Sequence, residues 1–237
     1  PAGIHPISCY KTKMAGVLVS ENLHKFRLSQ MNSLYYIPDY LSKDQEQVVT
    51  DQILARQTKW IQLSGRRLQN YGGIVSNNAM IPEAMPDWLV PILRRLYEET
   101  KLFPEVPNHV LVNEYKQGEG ILAHEDGPMY QPVVAIISLG TSAVIRFTRK
   151  SKEQCKHTTD DNNSSEAVSL LLRPRSLLIF QDALYSDFFH SIEEGDVHIL
   201  DDTIVNREAS SLTSQDTSLQ RVGVRHSLTC RSVMRVA

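Results

Sequence analysis

The chain has 237 residues, of which 41% are apolar and 22% are charged, and its formal net charge is −2. This composition excludes wholesale disorder, and the length suits one large domain or two small ones. The charge excludes a strongly basic coat for nucleic acid, although it allows a local basic patch. The longest apolar run, Val133 to Ile137, is far too short to span a membrane.

The cysteine content indicates a reducing compartment. Cys9, Cys155 and Cys230 are widely separated and form no CxxC pair, which argues against a disulfide framework or a zinc ribbon. The start of the sequence also lacks the apolar core of a secretory signal. We therefore expect a cytoplasmic and nuclear protein without membrane association, and we expect a monomer.

The beginning of the chain predicts an extension, a strand and a helix. Residues 1–30 have weak periodicity and are expected to be partly disordered or loosely packed. Leu34–Ile37 predicts a short strand. Ser42 and Gln45 form a capping-box pattern, and apolar residues at helical spacing follow it, so a helix is predicted over 43–56.

The next segment predicts loops and a second helix. Residues 57–81 contain the glycines and asparagines that are typical of short strands and loops. A helix is predicted from Pro86 to about Thr100, because Trp88 and later apolar residues share one stripe. Pro91 is compatible with this helix because it would lie near the first turn.

Beyond Pro107 the sequence is rich in β-type runs, as in a double-sheet barrel. The predicted strands cover 109–115, 121–126, 132–139, 143–149, 168–172, 176–180, 188–192, 197–200 and 222–233. Two polar stretches, 150–166 and 193–220, interrupt them. We predict an α+β fold in which helical support from 31–105 packs on a double-stranded β-helix, or jelly-roll barrel, over 106–237. Residues 31–237 would then form one domain.

Two pairs of polar residues suggest a pocket. In a strand alternate side chains share a face, so His124 and Asp126 can reach one metal ion while Glu125 points away. Taken alone, this motif is explained more simply as a surface turn before a glycine and a proline. Asn113 and Tyr115 form a second alternating pair at the end of an apolar strand. They either enter the same pocket or meet water where that strand ends.

The last predicted strand has a polar face. Arg225, Ser227, Thr229 and Arg231 alternate with less polar residues and would share one side. Residues 221–237 contain four arginines and no acidic residue, so carboxylates must come from elsewhere if this face points inward. Because guanidinium groups pair with carboxylates, an acidic small molecule would suit it. A solvated edge strand is the alternative.

A third metal ligand completes a facial triad of two histidines and one carboxylate, which leaves open positions on Fe(II). His190 is the candidate because it lies in an apolar strand, Phe188 to Ile192. The alternative interpretation is a core or interface histidine, and His198 is a rival ligand.

Taken in order, these residues resemble the AlkB-like family of Fe(II)/2-oxoglutarate dioxygenases. The strand–turn–strand core of that family resembles Ala135-Ile-Ile-Ser-Leu-Gly140 followed by Val144-Ile-Arg-Phe147. Three further segments look most like the sixth AlkB homologue of animals and plants: Tyr35-Tyr36-Ile-Pro-Asp-Tyr40, Leu63-Ser-Gly-Arg-Arg-Leu-Gln-Asn-Tyr-Gly-Gly73 and Asn108-His-Val-Leu-Val-Asn113. The resemblance extends from about residue 26 to the C-terminus.

The resemblance implies a site that uses Fe(II), 2-oxoglutarate and molecular oxygen. The implied iron ligands are His124, Asp126 and His190. The implied residues for 2-oxoglutarate are Asn113, Tyr115, Arg225, Ser227 and Arg231. Arg225 would pair with the distal carboxylate, with Tyr115 as a hydrogen-bond partner, and Asn113 and Arg231 would help at the other end. Many members carry Asn at the position of Ser227, and a hydroxyl donates one hydrogen bond where an amide donates two.

The resemblance also implies a reaction, which is oxidative demethylation of alkylated nucleic acid. Two alternatives remain open: the same chemistry on a protein or small molecule, and a non-catalytic module that binds nucleic acid. The near-neutral charge predicts weak, salt-sensitive nucleic-acid binding at most. Arg66, Arg67 and Tyr71 are candidate substrate contacts, and the alternative is a structural turn with solvated arginines.

Overall fold

The computed structural model describes residues 23–28, 31, 33–151 and 167–237. Most of the predicted extension and most of the polar stretch 150–166 therefore lie outside the described residues. The described part of the extension includes a 3-10 helix, Leu23–Phe26. None of the helices in these ranges has the length and apolar character of a membrane-spanning segment.

The described residues form fifteen strands and three α-helices. The strands are β1 (Leu34–Ile37), β2 (Ile61–Gln62), β3 (Arg67–Tyr71), β4 (Gly73–Val75), β5 (Met80–Pro82), β6 (His109–Tyr115), β7 (Ile121–His124), β8 (Val133–Gly140), β9 (Ala143–Arg149), β10 (Ala167–Leu172), β11 (Leu177–Gln181), β12 (Phe188–Ile192), β13 (Val197–Ile199), β14 (Ser218–Gln220) and β15 (Arg225–Arg231). The helices are α1 (Lys43–Leu54), α2 (Val90–Thr100) and α3 (Ala183–Ser186).

Two antiparallel sheets within these residues form the jelly-roll core. The larger sheet has the order β1-β11-β8-β15-β6-β3-β2, and the smaller has the order β10-β9-β12-β7. Two further antiparallel sheets of two strands each, β4–β5 and β13–β14, are separate from these sheets. The predicted α+β jelly roll is present. However, residues 31–105 give β1, β2 and β3 to the larger sheet as well as two helices, so this segment is more than helical support.

Helix α1 begins as the sequence predicts. Gln45 donates its backbone N–H to Ser42 Oγ at 3.1 Å, and Ser42 donates its N–H to Gln45 Oε1 at 2.9 Å. These two bonds are the predicted capping box. The helix ends at Leu54, slightly before the predicted end.

Helix α2 begins at Val90, later than predicted. Pro86 and the residues after it form a turn, in which Leu89 donates its N–H to the Pro86 carbonyl at 2.9 Å. Pro91 lies at the start of the helix, where a missing N–H costs no hydrogen bond.

The central strands β6 and β15 separate two cores. Val110 and Val112 on β6, and Leu228 and Cys230 on β15, belong to the cluster that packs against α1 and α2. The residues that alternate with these four on β6 and β15 point to the opposite side of the sheet, into the barrel. The polar face predicted for the last strand is therefore an inner face.

Strand ends and short strands account for the remaining differences. β7 ends at His124, so Glu125 and Asp126 lie in a loop rather than in the predicted strand. β15 covers Arg225–Arg231, which is less than the predicted 222–233. β14 was not predicted, because it is short and lies at the end of the polar stretch 193–220.

Candidate active site

Arg225 is a buried cation with free donors. The residue is only 2% exposed, and its Nη2 atom donates to Ser138 Oγ at 2.9 Å. The guanidinium carbon lies 5.5 Å from the centre of the Tyr115 ring. Its Nε and Nη1 atoms have no hydrogen-bond partner among the described residues, and burial lowers the pKa of Arg225 to about 10. Because unpaired buried donors are costly, this group suits a bound anion.

Asn113 forms the next polar contact along the barrel interior. Arg66, in the turn between β2 and β3, donates through Nε to Asn113 Oδ1 at 2.9 Å. Asn113 Nδ2 in turn donates to Thr229 Oγ1 at 3.4 Å. This chain of contacts joins the turn to the two central strands of the larger sheet.

The three candidate substrate contacts in and near β3 lie in different surroundings. Arg66 lines the barrel interior, whereas Arg67 donates to both carboxylate oxygens of Glu114 at 2.6 and 2.9 Å. The Tyr71 hydroxyl donates to Gln69 Oε1 at 2.8 Å inside the protein. Of these three residues Arg66 alone is placed to meet a ligand in the barrel, and the other two have structural contacts.

His124 and His190 meet across the smaller sheet. They are paired residues of β7 and β12, and their ring centres are 4.3 Å apart. His124 Nδ1 lies 2.8 Å from the Leu122 carbonyl oxygen. Because a carbonyl oxygen can only accept, Nδ1 donates this hydrogen bond, and in the neutral tautomer Nε2 then keeps its lone pair for a metal ion.

Asp126 lies in the loop after β7, beside both histidines. One carboxylate oxygen, Oδ1, accepts a hydrogen bond from Arg231 Nη1. The other, Oδ2, is buried without a hydrogen-bond partner in the described part of the chain and is 3.7 Å from His190 Nε2. Arg231 also lies over the Tyr130 ring, 4.1 Å from its centre.

His190 is neutral at physiological pH. Burial lowers the pKa of His190 to about 4; the Asp126 carboxylate opposes this shift, and His124 and Arg231 reinforce it. A neutral imidazole is the form that binds metal ions, so burial keeps this side chain ready for that role.

His198, the rival ligand, has a structural role. The Val144 N–H donates to its Nδ1 at 2.9 Å, and its Nε2 donates to the Glu193 carbonyl at 3.0 Å. Both ring nitrogens are therefore occupied by backbone groups, and the side chain joins β13 to β9.

One cavity of about 210 Å³ brings the candidate residues together. Its lining includes all eight of them: Asn113, Tyr115, His124, Asp126, His190, Arg225, Ser227 and Arg231. Ile136, Ile145 and Leu172 give it an apolar wall. Residues that are far apart in the chain thus form one pocket with an arginine-rich end and a histidine-rich end.

Sequence reasoning missed three residues of this pocket region. Ser138, the partner of Arg225, is the one polar residue of β8 and could have been noticed for that reason. Tyr130 follows the His-x-Asp motif in a loop and offers no periodic pattern. Glu125 was expected to point away, but it also contributes to the lining, because β7 ends before it.

The fold and this pocket define an oxygenase of the jelly-roll type. The profile of the 2OG-Fe(II) oxygenase superfamily matches residues 13–231, and the chain belongs to this family. A relative in Danio rerio, named probable RNA/DNA demethylase ALKBH6, is 38% identical over 205 residues, which are 86% of this chain and 87% of that protein. The resemblance to the sixth AlkB homologue is therefore confirmed, and the protein is an oxidoreductase.

Solved structures support the fold. OsALKBH1 has a TM-score of 0.51 at 17% identity, with 84% of this chain and 96% of that chain covered. A prolyl-4-hydroxylase of Pseudomonas putida has a TM-score of 0.51 at 11% identity, with 92% and 97% covered. At these identities the similarity concerns the jelly-roll fold alone.

The residues present fit the Fe(II) that this family implies. Two imidazoles and a carboxylate are the donor set of the facial triad, and Asp126 Oδ2 is a buried oxygen that needs a partner. Within the described ranges, no three His, Cys, Asp or Glu side chains already have the spacing of a formed metal site. Instead, Arg231 binds Asp126 in this structure.

Proposed function

We propose that this protein removes alkyl groups from nucleic acid by Fe(II)- and 2-oxoglutarate-dependent oxidation. The family supports the chemistry, and the probable RNA/DNA demethylase from Danio rerio supports the substrate class. The observation that carries the proposal is one cavity that combines two histidines and an aspartate with a buried arginine, two of whose nitrogen atoms have no hydrogen-bond partner among the described residues.

At the histidine-rich end, His124, Asp126 and His190 would hold Fe(II). The proton on His124 Nδ1 is fixed by the Leu122 carbonyl, which orients the ring and leaves Nε2 free. Arg231 binds the Asp126 carboxylate and so fixes its direction. Bound Fe(II), with 2-oxoglutarate and molecular oxygen, supplies the oxidation of a substrate C–H bond, and an N-methyl group leaves as formaldehyde.

At the arginine-rich end, Arg225 would bind the distal carboxylate of 2-oxoglutarate. Burial raises the pKa of Tyr115, so its hydroxyl stays protonated and can donate to the same carboxylate. Ser227 offers a second hydroxyl, and Asn113 and Arg231 would bind nearer the metal. The apolar side chains in the cavity wall lower the local dielectric below that of water, which strengthens each of these interactions.

Succinate release tests the proposal. The purified protein with Fe(II), ascorbate and 2-oxoglutarate is offered methylated single-stranded DNA, methylated RNA or a methylated peptide, each at two salt concentrations. We expect succinate and formaldehyde with a nucleic acid, and weaker activity at the higher salt concentration. A His124→Ala variant should give background only. Turnover with the peptide but with neither nucleic acid would show that the substrate is a protein.

Three further predictions rest on the sequence. Nucleic-acid binding should be weak, the protein should be a monomer, and it should be located in the cytoplasm and nucleus. Cys230, which is buried, fits a reducing compartment because it needs no disulfide partner.

A further inference from the structure

The metal-ligand candidate Asp126 lies in a loop between two strands. β7 ends at His124, which is paired with His190, and β8 begins at Val133. Asp126 is therefore beyond the last residue pair of its strand. Arg231 binds its carboxylate, and contacts made by its neighbours in the chain hold its backbone. Among the described residues, two side chains make such contacts, one on each side of Asp126.

Lys150 binds the residue before Asp126. Its Nζ atom donates to the Glu125 carboxylate and also to the Ser186 carbonyl at 2.6 Å. The Lys150 side chain is only 7% exposed, whereas that of Glu125 is 55% exposed. A buried ammonium group thus reaches outward to hold a carboxylate that could otherwise lie in water.

Tyr185 binds the residue after Asp126. Its hydroxyl donates to the Gly127 carbonyl at 2.7 Å. Tyr185 belongs to α3, which ends at Ser186, the same residue that Lys150 contacts. Because α3 leads directly into β12, both links join the neighbours of Asp126 to the segment that carries His190.

We infer that Lys150 and Tyr185 are positioning residues that keep Asp126 beside His190, so that both side chains can bind one metal ion. This inference rests on the ligand set proposed above and adds two residues that do not touch the metal. Groups that orient metal ligands commonly change metal affinity 10- to 100-fold when they are removed. Neither residue needs to contact 2-oxoglutarate or substrate for this role.

Binding of Mn(II) without 2-oxoglutarate, measured by calorimetry, tests the inference. Tyr185→Phe removes one hydroxyl, and Lys150→Met replaces a buried ammonium by an apolar chain of similar length. We expect each variant to bind Mn(II) about tenfold more weakly than the wild type. Tyr36→Phe is the matched control, because its buried hydroxyl accepts from the Arg173 N–H at 3.3 Å on the far edge of the larger sheet.

Three comparisons separate positioning from general destabilisation. Thermal unfolding of Lys150→Met should be near the wild type, since Glu125 can be solvated. Lys150→Arg should recover most of the Mn(II) affinity. Affinity for 2-oxoglutarate at saturating Mn(II) should be unchanged within about threefold in the Lys150 and Tyr185 variants, because Arg225 is untouched.

The result that would overturn the inference is Mn(II) affinity within twofold of the wild type in both variants, or an equal loss in Tyr36→Phe. The His124→Ala variant shows whether the positioning role alone is wrong or whether the proposed metal-ligand set is wrong as well. If His124→Ala loses Mn(II) binding while the Lys150 and Tyr185 variants retain it, the ligand set stands and the positioning role does not. If His124→Ala retains it, both are wrong.

Discussion

The two ends of the cavity are built in different ways. At the arginine-rich end, Tyr115 and Arg225 are paired residues of β6 and β15, with a full strand on each side of them. At the histidine-rich end, β7 is a four-residue edge strand of the smaller sheet, and Asp126 lies beyond it. One end thus depends on sheet register, and the other depends on side chains that support a loop.

This difference has a consequence for what each end tolerates. Register is fixed by many hydrogen bonds and by the hydrophobic alternation of the strands, so single substitutions nearby should leave the arginine-rich end in place. A loop held by a few side chains should move when one of them is lost. The following predictions test that contrast, from the largest expected effect to the smallest.

Loss of Asp126 should have the largest effect. We expect Asp126→Ala to abolish turnover while the protein stays folded, because one of three proposed metal ligands is removed. Succinate release measures the activity, and circular dichroism checks the fold. Retained turnover would show that another carboxylate holds the metal.

Loss of Arg225 should weaken co-substrate binding without harming the fold. Arg225→Met should reduce 2-oxoglutarate affinity by about 2–5 kcal/mol, as expected when one side of a buried charge pair is truncated. Its stability should be equal to or greater than that of the wild type, since an unpaired buried cation is removed. Calorimetry with Mn(II) and chemical denaturation measure the two quantities.

The control for this variant is Arg95→Met on α2. Arg95 is also buried, and its Nε donates to Glu99 at 3.0 Å. This substitution should lower stability and leave 2-oxoglutarate affinity unchanged. A normal co-substrate affinity in Arg225→Met would refute the role assigned to Arg225.

Substitutions on the outer face of β6 and β15 should change stability without changing the binding of metal or co-substrate. Glu114 accepts from Arg67 and from His226, whose Nε2 lies 3.0 Å away. Burial raises the pKa of Glu114, but these hydrogen bonds lower it below its usual value. We expect Glu114→Gln to lower the free energy of unfolding by about 2 kcal/mol, because both partners lose an ionised acceptor.

Urea denaturation measures this change. Lys59→Met removes the exposed pair of Lys59 with Glu83 and should change stability by less than about 0.5 kcal/mol. If Glu114→Gln instead weakens Mn(II) binding and spares stability, the two ends of the cavity are coupled more closely than the sheet geometry indicates.

The smallest effect concerns pH. Burial, reinforced by Arg231, lowers the pKa of His109 to about 3, although Asp126 opposes the shift. Because the unfolded state takes up this proton first, stability is complete above pH 6.5 and falls as the pH decreases toward 3. Between pH 7.5 and 5.5 the loss from this group should be about 1.4 kcal/mol. His109→Asn should reduce that slope in urea denaturation, and an unchanged slope would contradict the assignment.

The same contrast explains how much could be predicted from the sequence. Alternation along β6 and β15 predicted the inward faces, because both strands are long and one side of each meets the helices. The loop after β7 gave no periodic pattern, so the contribution of Glu125 and the support from Lys150 and Tyr185 were missed. Their partners are distant in sequence, and only tertiary structure brings them together.

The choice between His190 and His198 shows a second limit. Both histidines lie in short apolar strands, and their local sequences are alike. They differ in what faces them: His198 meets two backbone groups, whereas His190 meets Asp126 and His124. Composition and spacing carry no information about such partners, although the resemblance to the family favoured His190.

If 2-oxoglutarate binds Arg225 as proposed, the supply of this metabolite also affects how long the enzyme survives in the cell. A ligand that binds the native state stabilises it in proportion to the logarithm of its concentration, by about 2.7 kcal/mol at a hundredfold excess over Kd. Falling 2-oxoglutarate supply would therefore both slow catalysis and expose more of the protein to chaperones and proteases. Abundance and activity would then decline together when this co-substrate is scarce.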